Sequence, residues 1–338
     1  HSKYGVCLNN LANLYRIMGQ YDKALPLFLE SIENIEKTLG KDHSEYGSRL
    51  NNLALLYNTL GQYDKALPLF LEALENTEKT LGKDHSYYGN RLYNLAALYE
   101  NMGRYDNALS LFLEALENTE KTLGKDHSEY GNRLNNLAGL YGIMEQFDKA
   151  LPMYIEALKN TEKTLGKDHS FYGVSLNNLA LLYENMEQYN KALPLYLEAL
   201  ENTKKTLGKN HESYGIRLSN LAYLYRTMGQ YDKALPFFIE VKKNTINQIK
   251  QNFSFQDEKG KEEFIKNIVT TSFNNFSQFN LTTNNSYKES VALATNNVLT
   301  SKGLLLNASK NILSKLESLN QEEINETTNL FRTKRAFI

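Results

Sequence analysis

The sequence predicts an all-α solenoid, a row of helix-turn-helix units followed by a smaller C-terminal helical segment. Two observations predict it. The six histidines, His1, His43, His85, His127, His169 and His211, lie 42 residues apart. The unit between them, HSEYGSRLNNLALLYNTLGQYDKALPLFLEALENTEKTLGKD in its second copy, recurs with few changes. A fixed period of this size marks a repeat array. The six units are 1–42, 43–84, 85–126, 127–168, 169–210 and 211–250.

Each unit carries two helical patterns. Leu8, Leu11, Ala12, Tyr15 and Met18 recur at steps of three and four, one stripe of a 3.6-residue helix. Gly19 follows, suited to the left-handed conformation that closes a helix. Ala24, Leu25, Phe28, Ile32 and Ile35 form the second stripe, closed by Gly40. Ser44 is the expected N-cap of a first helix and Asp22 of a second. Pro26 is expected near a helix start, where a missing donor matters least. Gly5, Gly47, Gly89, Gly131, Gly173 and Gly215 share one register, as close approach of a neighbouring helix requires. Glu145 and Glu187 replace the glycine between paired helices, so each either bears strain or changes the turn. A lone helix pair cannot bury its stripes, but stacked pairs can.

Composition narrows the function. The 338 residues carry 38 Lys plus Arg against 39 Asp plus Glu. That balance opposes nucleic-acid binding, which needs a basic face, and offers no polybasic membrane anchor. No apolar stretch approaches the ~18 residues of a membrane helix. The single cysteine, Cys7, excludes an internal disulfide framework and fits a reducing, cytoplasmic setting. Cys7 shares its position with Arg49, Arg91, Arg133, Ser175 and Arg217, which reads as an exposed rim. Phosphate-binding loops, HExxH, GxSxG and paired-Cys motifs are absent, so neither catalysis nor a cofactor is expected. The periodic histidines do not converge as zinc ligands must. A turn or packing role is expected of them, and no metal.

The order Ala12, Tyr15, Gly19, Tyr21, Ala24, Phe28, Ser31 resembles the tetratricopeptide repeat. LNNLA, GQYDKAL and EKTLGKDH resemble the kinesin-light-chain type. The resemblance implies a right-handed superhelix with the first helices lining a concave wall. It also implies a protein or peptide ligand held there. On a helical wheel, positions 6, 9, 13, 16 and 17 face away from the apolar stripe, and these vary between copies. The candidate groove residues are Asn9, Asn51, Tyr93, Asn135, Asn177 and Ser219, one per repeat, with Asn13, Arg16, Tyr223 and Arg226. An amide donates and accepts, so a row of them suits the backbone of an extended peptide. The arginines predict an anionic ligand where it meets them. The second asparagine of the motif (Asn10, Asn52, Asn94, Asn136, Asn178, Asn220) is expected to bond a neighbouring helix.

The pattern changes at about residue 241, where the second helix is expected to lengthen and cap the array. Residues 251–338 keep helical spacing without the repeat. NFSFQDEKGKEEFIKN and NVLTSKGLLL (Asn297 to Leu306) resemble the segment joining such repeats to a CHAT domain, a caspase-like cysteine peptidase. That resemblance implies a parent protein whose catalytic His and Cys lie beyond Ile338. The missing GKD before His1 reads as at least one further repeat upstream. The alternative is a cargo or scaffold adaptor without a peptidase.

Overall fold

The computed structural model describes residues 2–253. The tail readings, including the CHAT-like segment, lie outside the described residues. The described residues form twelve helices in pairs: α1 (Ser2–Ile17) with α2 (Tyr21–Thr38), α3 (Ser44–Thr59) with α4 (Tyr63–Leu81), and α5 (Ser86–Asn101) with α6 (Tyr105–Leu123). Then follow α7 (Ser128–Ile143) with α8 (Phe147–Leu165), α9 (Ser170–Asn185) with α10 (Tyr189–Thr206), and α11 (Glu212–Thr227) with α12 (Tyr231–Phe253). The all-α repeat fold is therefore as the periodicity predicts. The chain divides into two compact units, 1–207 and 208–338. Five pairs lie in the first and the pair α11–α12 in the second.

Within the first unit α3, α5, α7 and α9 each pack between their own partner and the second helix of the preceding repeat. Leu53 and Leu56 of α3 join Ala24 and Phe28 of α2 in one core cluster, and Leu95 and Leu98 of α5 join Ala66 and Phe70 of α4. Leu56, Leu98 and Leu140 are fully buried, a gain of about 1.5–3 kcal/mol for each such side chain. The stripe read from the wheel omits this position, because a helix flanked on both sides buries two faces. First helices also touch one another, α1 with α3, α3 with α5 and α7 with α9. The second helices make no comparable set of contacts among the described residues. The first helices are thus the more closely gathered side of the unit.

Local signals come out in three ways. The glycine register is as expected: a Cβ on Gly47 would stand 2.5 Å from Asn76 Oδ1 and 3.1 Å from the Ala73 carbonyl oxygen. Asn76 uses that closeness, accepting from the Gly47 amide and donating to the Lys41 carbonyl, so α4 holds the entry to α3. Glu145 and Glu187 bear the left-handed conformation, each with φ of 58°. The capping expectations need correction. Histidine, not Ser44, caps the first helices: Nδ1 of His43 accepts from the Glu45 amide, and His85, His127, His169 and His211 repeat the bond. Asp22 lies in the first turn of α2, whose N-cap is Gln20. Pro26 is the sixth residue of α2, past the free amides of the first turn. In the second unit α12 runs 23 residues, against 18 or 19 for the other second helices, so the lengthened last helix is present.

Candidate functional site

The candidate row is built on the first helices, and most of its asparagines are buried. Asn51, Asn135 and Asn177 are only 3%, 9% and 5% exposed. Their expected position on the open wall is therefore corrected. Their amides form a seam between successive first helices. Asn52 Nδ2 donates to Asn9 Oδ1 at 3.0 Å, Asn94 to Asn51 at 2.9 Å, and Asn178 to Asn135 at 3.3 Å. The second asparagine of the motif thus bonds the neighbouring helix, as expected. Its acceptor is the first asparagine of the preceding repeat. Where Tyr93 takes the acceptor's place, Asn136 turns to the Asn132 carbonyl at 2.8 Å instead. A buried amide left without its partner costs about 1–3 kcal/mol, so this seam is structural.

The arginine position also needs correction, since it is interior. Arg49, Arg91 and Arg133 are 3%, 8% and 4% exposed. Each fork reaches back to the preceding repeat: Arg49 Nη1 to the Gly5 carbonyl at 2.6 Å, Arg91 Nη2 to Ser48 Oγ at 2.9 Å, and Arg133 Nη2 to Asn90 Oδ1 at 2.5 Å. Arg133 also stacks on Tyr93, with its guanidinium carbon 4.0 Å from the ring centre, and pairs with Glu129 at 2.7 Å. Burial pulls the Arg91 guanidinium down to about 10, still charged at neutral pH. Cys7, at the same register in α1, is exposed.

The remaining candidates are partly exposed. Asn13 Nδ2 donates to the Asn9 carbonyl at 3.2 Å, and Arg16 Nε to Asn13 Oδ1 at 3.4 Å, which links these three at the first repeat. In the second unit Ser219 donates to the Gly215 carbonyl at 2.9 Å, and Arg226 sits 4.7 Å over the Tyr223 ring. Burial pushes the Tyr223 phenol up, with Arg226 opposing.

The open wall of the first unit consists of the outward positions near each first helix's C-terminal end. These are Asn13 and Arg16, Leu55 and Asn58, Ala97 and Glu100, Gly139 and Gly142, and Leu181 and Glu184. Burial pushes the carboxyls of Glu100 and Glu184 above the usual range, and a hydrogen bond from Tyr196 at 2.7 Å partly offsets this at Glu184. Sequence reasoning missed another recurrent pair. Tyr46, Tyr88, Tyr130 and Tyr172 each donate to a glutamate of the partner helix, Glu72, Glu114, Glu156 and Glu198. The common spacing of 26 residues was the available signal. No group of three His, Cys, Asp or Glu able to hold a metal occurs among the described residues, and no helix there is long and apolar enough to cross a membrane.

A tetratricopeptide-repeat family model matches residues 6–79, 49–121, 89–163, 133–205 and 171–243. A search of curated proteins gives no sequence match. Among solved structures, the chain is similar to a putative kinesin light chain with nearly identical TPR-like repeats from Podosopora anserina. That structure shows 25% identity and a TM-score of 0.54 over 61% of this chain and 98% of that one. BtubC (BKLC) from P. vanneervenii is 22% identical, with a TM-score of 0.55 over 68% of this chain and 90% of that one. A Rap protein solved in complex with competence and sporulation factor is 13% identical, with a TM-score of 0.52 over 91% of this chain and all of that one (100%). The overlapping family matches run across most of the chain and fall on the helix pairs described above, so this protein belongs to the tetratricopeptide repeat family.

Proposed function

We propose that the first-helix wall of this array holds an extended segment of a protein partner. One observation carries the reading. Over a nearly constant core, the outward wall positions change charge, size and polarity from repeat to repeat. A wall serving only as a solvated face would need no such change. In this reading Asn9, Asn51, Asn135 and Asn177 act mainly by fixing the wall through their seam. Asn13, Arg16 and Tyr93 supply contact surface on the first unit; Ser219, Tyr223 and Arg226 are contact candidates of the second unit taken by itself. The arginines favour acidic residues in the ligand where they stand.

The test is capture of a partner from the protein's own host with the full chain, followed by the same capture with Ala97→Arg and Leu181→Glu together. Both positions are at least partly open, so unfolding should stay unchanged while capture falls at least tenfold. Undiminished capture would move the contact to another face.

A second reading, a cargo or scaffold adaptor, has the support of the likeness to the putative kinesin light chain. A regulatory role toward an attached CHAT-type peptidase rests on the tail resemblance alone. Extending the parent reading frame past Ile338 separates the two: a His followed by a Cys in an α/β pattern favours the peptidase.

A further inference from the structure

The wall changes character at the fourth repeat. Gly139 and Gly142 stand where its neighbours place Ala97 and Glu100 on one side and Leu181 and Glu184 on the other. Glycine is the poorest helix former after proline, so two of them near the end of α7 work against that helix. They leave a gap in the wall. A Cβ on Gly142 would meet only Leu182 Cδ1, at 3.8 Å, and one on Gly139 would meet only the Tyr154 hydroxyl, at 3.3 Å.

Tyr154 is therefore the floor of the gap. It is 7% exposed, and its hydroxyl has no hydrogen-bond partner among the described residues. Its counterparts show why this is unusual. Phe28, Phe70, Phe112 and Phe238 carry no hydroxyl there, and Tyr196 donates a hydrogen bond to Glu184 of its own repeat. The fourth repeat keeps the hydroxyl and replaces the acceptor by Gly142. The Tyr154 ring is buried while its hydroxyl oxygen still opens on the gap, so that oxygen is available to a ligand entering there. Glu100 of the preceding repeat is half-buried and has no ion-pair or hydrogen-bond partner among the described residues. Burial raises its carboxyl, and its charge adds to the burial that pushes the Tyr154 phenol up to about 12.

We propose that this gap receives the cationic end of a lysine or arginine side chain from an extended peptide lying along the wall. The idea rests on the groove reading above and specifies the partner's chemistry at one point. The cation's N–H groups would donate to the Glu100 carboxylate and to the Tyr154 hydroxyl oxygen. The two glycines leave room for the aliphatic stem. A hard divalent ion is a poorer match, because it takes six or more oxygen ligands and one carboxylate and one phenol do not supply them.

The experiment uses the full chain and an array of capped nonapeptides. A single lysine, arginine, norleucine or glutamate is set among randomised Ala, Ser, Asn and Leu. The wild type should retain lysine and arginine peptides over norleucine by roughly tenfold or more, the strength of a charged hydrogen bond. Glu100→Gln should erase the preference, and Gly142→Arg should block the gap with its own guanidinium. Tyr154→Phe restores the residue of four other repeats and should reduce the preference without loss of fold. Gly142→Ala, whose methyl makes only an ordinary contact with Leu182 Cδ1 at 3.8 Å, shows by melting how much of the Gly142→Arg effect comes from helix propensity. Retention without a basic preference, or a preference that survives Glu100→Gln, would overturn the proposal and leave the groove standing. If the wild type retains no peptide at all, the groove reading fails and takes the gap with it.

Discussion

The second and fourth repeats share an interior and differ at the surface. Leu50, Leu53, Ala54, Leu56, Ala66 and Ala73 in one match Leu134, Leu137, Ala138, Leu140, Ala150 and Ala157 in the other, all 3% exposed or less. On the wall, Leu55 and Asn58 become Gly139 and Gly142, and beneath it Phe70 becomes Tyr154. The stack therefore tolerates a changed wall as long as the two buried flanks are kept. The fold is carried by the buried positions of the helix, and in the reading proposed above recognition falls to the others.

The sharpest way to break this comparison is through the shared interior. Leu56→Ala and Leu140→Ala should each destabilise by about 2–5 kcal/mol, as cavities in closed cores do. Leu14→Ala, at the same register but 53% exposed, should fall within about 0.5 kcal/mol. Thermal melting of the three variants would show it, and equal losses would refute the two-flank packing.

A smaller effect separates two glycines of one helix. Gly131→Ala forces its Cβ into Asn160 and should cost about 1–3 kcal/mol. Gly142→Ala meets nothing closer than 3.8 Å and should stabilise by up to about 1 kcal/mol. Denaturant midpoints of opposite sign are the expected result.

The smallest effect is one of pH. Burial raises the Glu100 carboxyl above its ordinary 4.5. Its contribution to stability is complete below that value and is lost as pH rises through the folded value. Glu100→Gln removes the dependence. Melting of the variant and the wild type should agree in acid, with the variant ahead at neutral pH. A wild type that gains on the variant with rising pH would reverse the sign.

Much of this was legible in the sequence. The 42-residue period fixes the helix pairs, and Gly47 in helical register announces the approach of Asn76. The wheel failed where residue type and environment part company. Asn51 and Arg49 read as surface residues because they are polar. Yet each has a buried partner in another repeat, Asn94 for the one and the Gly5 carbonyl for the other. A single repeat unit does not contain that information. Serine is the commoner cap and so the one a sequence suggests, yet the free ring nitrogen of a neutral imidazole also accepts a backbone amide, as His43 does. The gap at the fourth repeat was invisible as a glycine pair and visible only once Tyr154 lay beneath it.

The clasps between repeats all reach backward along the chain, Arg49 to Gly5 and Asn52 to Asn9, then again at later repeats. Under tension such an array is a ratchet of separable links. Pulled from its ends, it should yield in discrete events, each releasing one 42-residue link, roughly 140–150 Å of extended chain. A partner lying across several links would act as a splint, merging neighbouring events into one.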